Sequence, residues 1–324
     1  VKRAALIAAA VLVSGALFWA AMRGVDVAEL GRVFAGASLA WAPALVIAPI
    51  LDLWVRAARW RLLLAPMARA SVRDLFQLEA LGLAINNVLF LRLGEFARGF
   101  FAAKETRIPA VSVLATILVE RLCDTAALLL LFSVGVGLLP RGTVPGAACL
   151  MAAGGCAALC AVLALLAWAD RDGEGGAVAR ALGRFPRLRL WSIEIMAGAR
   201  SLRDAPSAWA IAWLSLALWI VDAGGFWAAG RALRLAPPLS APQSLAVVAF
   251  AAAASALPAM PGAFGNYEAS VRYVVMRFGH GKPAAVAFAV LSHLSTYVVV
   301  TAIGIGSLYA LGHTLSGLRQ TLKR

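Results

Sequence analysis

Apolar runs of roughly twenty residues recur from one end of the chain to the other, and they limit its fold more than any other feature. A run of that length covers the hydrocarbon core of a bilayer, about 30 Å, as a single helix. Six runs read as full spans: 4–22, 39–55, 109–139, 144–168, 207–230 and 283–311. Composition agrees, because 62% of the 324 residues are hydrophobic and only 14% are charged, against about 25% charged in an average soluble domain. So much apolar surface cannot be hidden in one water-soluble core. The first run follows Lys2-Arg3 and is longer than the ~7–15 apolar residues of a secretory leader, so it is read as a retained span. The expected fold class is an all-α polytopic membrane protein forming a single integral membrane domain over 1–324.

Two further apolar stretches are interrupted. Stretch 75–103 breaks around Arg92-Leu93-Gly94-Glu95, and stretch 243–279 breaks at Pro258-Ala259-Met260-Pro261-Gly262. Lipid offers no partner to a free backbone N–H or C=O, so a broken helix at membrane depth must be buried in protein or face a wet cavity. Both stretches are therefore read as re-entrant helical hairpins. The basic residues support this. With both hairpins returning to their starting side and the N-terminus inside, most of the 30 Lys and Arg fall on the cytoplasmic side, including seven Arg in 170–206. The C-terminus is then also cytoplasmic, and 170–206 is expected to carry an amphipathic helix on that face. Each half runs span, span, hairpin, span, which makes 1–140 and 144–312 inverted repeats. Such repeats with broken helices at matching positions point to a transporter-like site between them.

Three polar clusters sit in these apolar surroundings. The first contains Asn87, Arg92, Gly94, Glu95 and Arg98. Gly94 permits a tight bend, a helix starting there aims free N–H groups at the break, and Arg92 with Arg98 could grip a phosphate. The same charges could instead pair with one another. The second cluster is Glu120, Arg121 and Asp124, near the middle of 109–139. Insertion of each isolated ion there costs about 2.5–3.5 kcal/mol. Glu120 and Asp124 share a helical face, and the local excess of negative charge calls for another cation, for which Arg92 and Arg98 are candidates. A buried ion network and direct ligand contact both fit. The third cluster is Pro261, Gly262, Gly265 and Glu268: a helix stop, two flexible positions and a carboxylate in the first turn of the next helix. It reads either as a capped re-entrant turn or as the counterpart of the Arg92/Arg98 cluster in the other half.

Arg56, Arg59 and Trp60 follow the second span and read as a headgroup or interface anchor, an aromatic ring among snorkelling cations. Asp52 and Asp222 could pair with these arginines. The net charge of +14 is placed in short loops between spans, which argues for anionic lipid surfaces and against nucleic acid. The four cysteines lie inside apolar runs without ligand spacing, and the three histidines are scattered, so no metal site is expected. No nucleotide-binding glycine motif or Ser-His-Asp set is present, and no cofactor is expected.

Together these clusters resemble the flippase-like family typified by the transmembrane region of lysylphosphatidylglycerol synthases. That family carries Asn-x-x-Pro-x-Arg-x-Gly-Glu-x-x-Arg, matched here by Asn87, Arg92, Gly94, Glu95 and Arg98. Its Glu-Arg-x-x-Asp is matched by Glu120, Arg121 and Asp124, and its Pro-Gly-x-x-Gly-x-x-Glu by Pro261, Gly262, Gly265 and Glu268. An Arg-x-x-Arg-Trp element is matched by Arg56, Arg59 and Trp60. Phe90 stands where the family has proline, which leaves more of the bending to Gly94. The aminoacyl-transferase domain of two-domain members has no counterpart within these 324 residues, so the resemblance implies translocation rather than lipid synthesis.

The expected function is therefore a flippase-like transporter in a bacterial inner membrane. Its cargo would be an anionic phospholipid or a polyprenyl-linked lipid, with the matched motif residues as the binding site. A membrane-embedded lipid-modifying transferase, and a non-catalytic membrane partner of such an enzyme, are the alternatives.

Overall fold

A computed structural model describes residues 12, 15, 16, 19, 22–89, 93–140, 142–144, 146–169, 196–256 and 261–311. Most of the expected first span, Arg92, Pro258 and the loop 170–195 lie outside the described residues. Those described form ten α-helices: α1 Val27–Ala35, α2 Ala42–Leu64, α3 Val72–Val88, α4 Gly94–Thr106, α5 Ala110–Gly137, α6 Gly146–Ala169, α7 Ala205–Ala232, α8 Ala241–Ala256, α9 Asn266–Arg277 and α10 Lys282–Ala310. No strand occurs among them.

Local chemistry sets several helix starts. The Asp26 carboxylate accepts from the Ala28 N–H at 2.8 Å to open α1, and Ser71 Oγ accepts from the Asp74 N–H at 3.1 Å to open α3. Asp204 Oδ2 accepts from the Ser207 N–H at 3.0 Å to open α7, with a proline in the first turn. These side chains satisfy donors that the first helical turn leaves free.

Among the described residues, four helical segments, Leu39–Leu64, Gly146–Trp168, Ala205–Ala232 and Lys282–Ala310, are long and apolar enough to cross a membrane. Helix α5 has 28 residues and so the same reach, but Glu120, Arg121 and Asp124 interrupt its apolar character. Helix α2 runs nine residues beyond the expected end at Val55, taking Arg56, Arg59 and Arg61 into the same continuous helix. The two interrupted stretches fold as helix, break, helix. Arms α3 and α4 pack against each other, as do α8 and α9. With 17, 13, 16 and 12 residues, none of these arms spans about 30 Å at ~1.5 Å per residue.

The helices associate in a regular pattern. Helix α2 packs on α7. Helix α3 packs on α10, as α8 packs on α5. Helix α4 packs on α5, as α9 packs on α10. Exchanging α2–α5 with α7–α10 leaves these pairings unchanged. Two apolar cores result. One gathers Trp60, Leu63, Leu78, Phe101 and Val113 around the first hairpin; the other gathers Val247, Tyr267, Val271 and Phe288 around the second. The outer faces are also apolar. Leu150, Met151, Trp209 and Trp213 are all exposed, and α6 buries almost none of its surface. A surface of this kind is stable against acyl chains and not in water.

Candidate functional site

The charged residues of α5 meet charged partners from two other helices, α2 and α4. Arg59 of α2 is fully buried and its guanidinium contacts Asp124, Glu120 at 3.3 Å and the Ser215 hydroxyl of α7 at 3.0 Å. Arg98 of α4 contacts Glu79 of α3 and Glu120 at 3.2 Å. Arg56 pairs with Asp52 one turn earlier on α2 at 2.7 Å and approaches Asp124 at 3.6 Å. Arg121 contacts Glu120 and lies 3.2 Å from Asp124. Four carboxylates thus face four guanidinium groups within one connected network. Burying one unpaired ion costs several kcal/mol, whereas a matched set recovers much of that in mutual attraction. The expected partner for Glu120 is found in Arg98, and Arg59 is a second.

The interface-anchor expectation for Arg56, Arg59 and Trp60 is corrected. All three are buried, at 8%, 0% and 0% exposure. The Trp60 indole donates to Thr116 Oγ1 at 3.0 Å, and the Arg98 guanidinium lies over its ring, 4.8 Å from the centroid. The physical reason is charge pairing. Carboxylates on α5, with Asp52 of α2, hold Arg56 and Arg59 inside the protein more tightly than a headgroup layer could, and Trp60 forms the floor under Arg98.

The break between α3 and α4 depends on close contact between its arms. The Asn86 side-chain oxygen accepts from the Gly94 N–H at 2.8 Å, capping α4. A Cβ at Gly94 would sit 1.8 Å from the Gly82 carbonyl oxygen, so no larger residue fits there. This approach brings Arg98, one turn further on, across to Glu79. Asn87 links the break to α10: its amide donates to Thr301 Oγ1 at 2.9 Å, and its carbonyl accepts from the Tyr297 hydroxyl at 3.3 Å.

The second break is built differently. Gly262 and Gly265 have φ of 69° and 89°, the left-handed region that glycine enters without penalty. Glu268 Oε2 accepts from the Gly265 N–H at 2.7 Å and so caps α9. Its other oxygen lies 2.6 Å from His293 Nδ1 on α10. His293 Nε2 lies 2.8 Å from the Gly262 carbonyl oxygen.

A cavity of about 1070 Å³ connects these features. One pole is lined by Asp52, Arg56, Glu95, Arg121, Asp124 and Asp222, another part by Asn87, Pro261, Gly262 and His293. Other parts of the wall are apolar, with Leu129, Phe132, Met151, Phe226 and Phe250. The volume slightly exceeds the ~300–1,000 Å³ common for small-molecule sites. Of the expected site residues, Asn87, Glu95, Arg121, Asp124, Pro261 and Gly262 line the cavity. Arg98 and Glu120 belong to the buried network behind it, Gly94, Gly265 and Glu268 shape the two breaks, and Arg92 lies outside the described residues. Sequence reading missed Glu79 and His293. A lone Glu or His inside an apolar helix was the available signal, since such a residue needs a partner.

Comparison with known proteins agrees with this architecture. The family model described as lysylphosphatidylglycerol synthase TM region matches residues 7–304. No curated protein and no solved structure is a match for the chain. A match over most of the length, on a multi-pass helical membrane protein, means that this chain belongs to the lysylphosphatidylglycerol synthase transmembrane-region family.

Proposed function

We propose that the chain is a flippase-like transporter that carries a phospholipid or a lipid-linked polar headgroup across a bacterial inner membrane. The observation that supports this best is the cavity, with a charged pole and apolar walls that match the two ends of an amphiphile. In this reading α3–α4 and α8–α9 are re-entrant hairpins of two inverted halves, and both termini are cytoplasmic. The exchangeable helix pairing and the short hairpin arms support that arrangement. Arg56 and Arg121 are the cations on the cavity wall, and they take the anionic headgroup; Arg98 acts through Glu120 from behind. Glu95, Asp124 and Asp222 balance their charge and accept donors of the headgroup.

Reconstitution into liposomes tests the role. Labelled phosphatidylglycerol and a labelled polyprenyl phosphate should both be offered. Translocation of at least one of them is expected, and Arg121→Gln should slow it by about tenfold, the loss of one charge-assisted hydrogen bond. No translocation of any lipid removes the proposal, and appearance of a chemically altered lipid assigns a transferase instead. Topology is tested separately with single cysteines at the exposed positions Arg69 and Glu105, which flank the first interrupted stretch, and Arg234. The first two should label from one side and the third from the other. Labelling of the Arg69 and Glu105 positions from opposite sides would show that the first stretch crosses fully.

A further inference from the structure

The contact between Glu268 and His293 obeys a strict rule of donors and acceptors. The Gly262 carbonyl can only accept, so His293 Nε2, 2.8 Å away, carries a hydrogen and donates it. Nδ1 then faces Glu268 Oε1 at 2.6 Å. Without a hydrogen on that line, a ring lone pair would oppose a carboxylate lone pair at close range. One proton must therefore lie between Nδ1 and Oε1, whether written as imidazolium with carboxylate or as imidazole with carboxylic acid. The pair is held out of water. The side chains of His293 and Glu268 are 9% and 5% exposed, and the imidazole stacks on Tyr267 with ring centroids 4.2 Å apart and meets Phe264 at 4.7 Å.

This pair also fixes the second break. His293 holds the carbonyl of Gly262, and Glu268 holds the N–H of Gly265. These two contacts tie the positive-φ backbone at Gly262 and Gly265 to α10 and α9. Loss of the proton sets Nδ1 against Oε1, drives the two side chains apart and releases both ends of the turn. Gly262 and His293 line the cavity, so the consequence is felt by whatever occupies it.

We infer that Glu268 and His293 form a proton-binding site that couples protonation to the conformation of the 261–268 turn, and through it to movement of cargo in the cavity. The site rests on its own geometry, and only the identity of the driven process rests on the transport role proposed above. Neighbouring groups leave the pair distinct. Tyr267 donates from its hydroxyl to Ser292 at 3.2 Å, and the Tyr297 ring is 6.3 Å from His293. Helix α8 has no titratable side chain, and α3 presents Asn86 and Asn87. The charged groups on the same cavity wall are Asp222 of α7, Asp52 and Arg56 of α2, Glu95 of α4, and Arg121 and Asp124 of α5. Of these helices' charges, Asp52, Arg56, Arg121 and Asp124 are already committed to the paired network.

The test is amide hydrogen exchange of the full chain in lipid nanodiscs, corrected for the intrinsic rate at each pH. Opening that releases one proton should make protection of the 261–268 amides fall by about tenfold per unit of pH above the transition, by linkage. Glu268→Gln keeps the shape of protonated glutamate: its amide NH₂ donates to Nδ1 and its oxygen accepts from Gly265. It should stay protected with no pH slope. His293→Phe removes both nitrogens and should exchange rapidly at every pH. A flat wild-type profile between about pH 5 and about pH 9, or a Glu268→Gln profile with the wild-type slope, overturns the inference. Labelled phosphatidylglycerol and labelled polyprenyl phosphate in proteoliposomes supply the second readout, where a pH gradient should change the wild-type rate for the lipid that moves and leave Glu268→Gln unaffected. An exchange slope without lipid movement would keep the proton site and remove the transport role. Lipid movement without the slope would do the reverse.

Discussion

Arg59→Ala is expected to destabilise the protein by about 3–5 kcal/mol, the usual cost of removing one partner from a buried ion set. Arg59 is fully buried and contacts Glu120, Asp124 and Ser215 together. Its loss leaves four carboxylates facing three guanidinium groups, with Glu120 and Glu79 buried. Arg98 and Arg121 still touch Glu120, which places the cost toward the lower end of that range. Arg59→Lys keeps the charge but cannot bond three partners in one plane, so it should fall between wild type and alanine. Adding Glu120→Gln to Arg59→Ala restores the balance of charge. The double variant should therefore lose less than the sum of its parts, a coupling that a double-mutant cycle measures. Thermal unfolding of purified protein in nanodiscs reads all four states. Additive losses would mean that Arg59 contributes packing alone and that the ion network has no collective energy.

Gly94→Ala should have a comparable effect for a purely steric reason. The added methyl would lie 1.8 Å from the Gly82 carbonyl oxygen and 2.7 Å from its carbon. Both are backbone atoms of a helix, so neither can rotate away. Arms α3 and α4 must separate, which breaks the Asn86 cap on Gly94 and draws Arg98 away from Glu79. Overpacking costs about 1–3 kcal/mol and occasionally more, and loss of the cap and ion pair adds to it. Gly154 of α6 is the control, since nothing lies within 4 Å of its would-be Cβ. Gly154→Ala should be neutral or slightly stabilising, within about 1 kcal/mol. Equal behaviour of the two variants in unfolding would mean that the hairpin arms do not touch at Gly94.

The two variants also separate what can be read along the chain from what cannot. Gly94 was legible as a break, because a glycine beside charges inside an apolar stretch has few other uses. Glu120, Arg121 and Asp124 were legible as a unit, since residues three and four apart share a helical face. Arg56 and Arg59 were not, because cations and tryptophan after an apolar run look alike whether they snorkel to headgroups or turn inward. What decides is the presence of Asp124, 65 residues beyond Arg59. The partner of His293 was illegible for the same reason, since Glu268 lies on a different helix.

Sequence alone determined the membrane character of the chain, where its two interrupted stretches break, and the family to which its motifs belong. These follow from local quantities: the apolar length needed to cross a bilayer, the bend a glycine allows, and the cost of an ion in a hydrocarbon setting. Only the tertiary structure decided how the charges are paired, which of them line the cavity and which are sealed behind it. A Coulomb interaction depends on distance in space, and Arg59 of α2 and Glu120 of α5 lie 3.3 Å from each other only after the helices have packed.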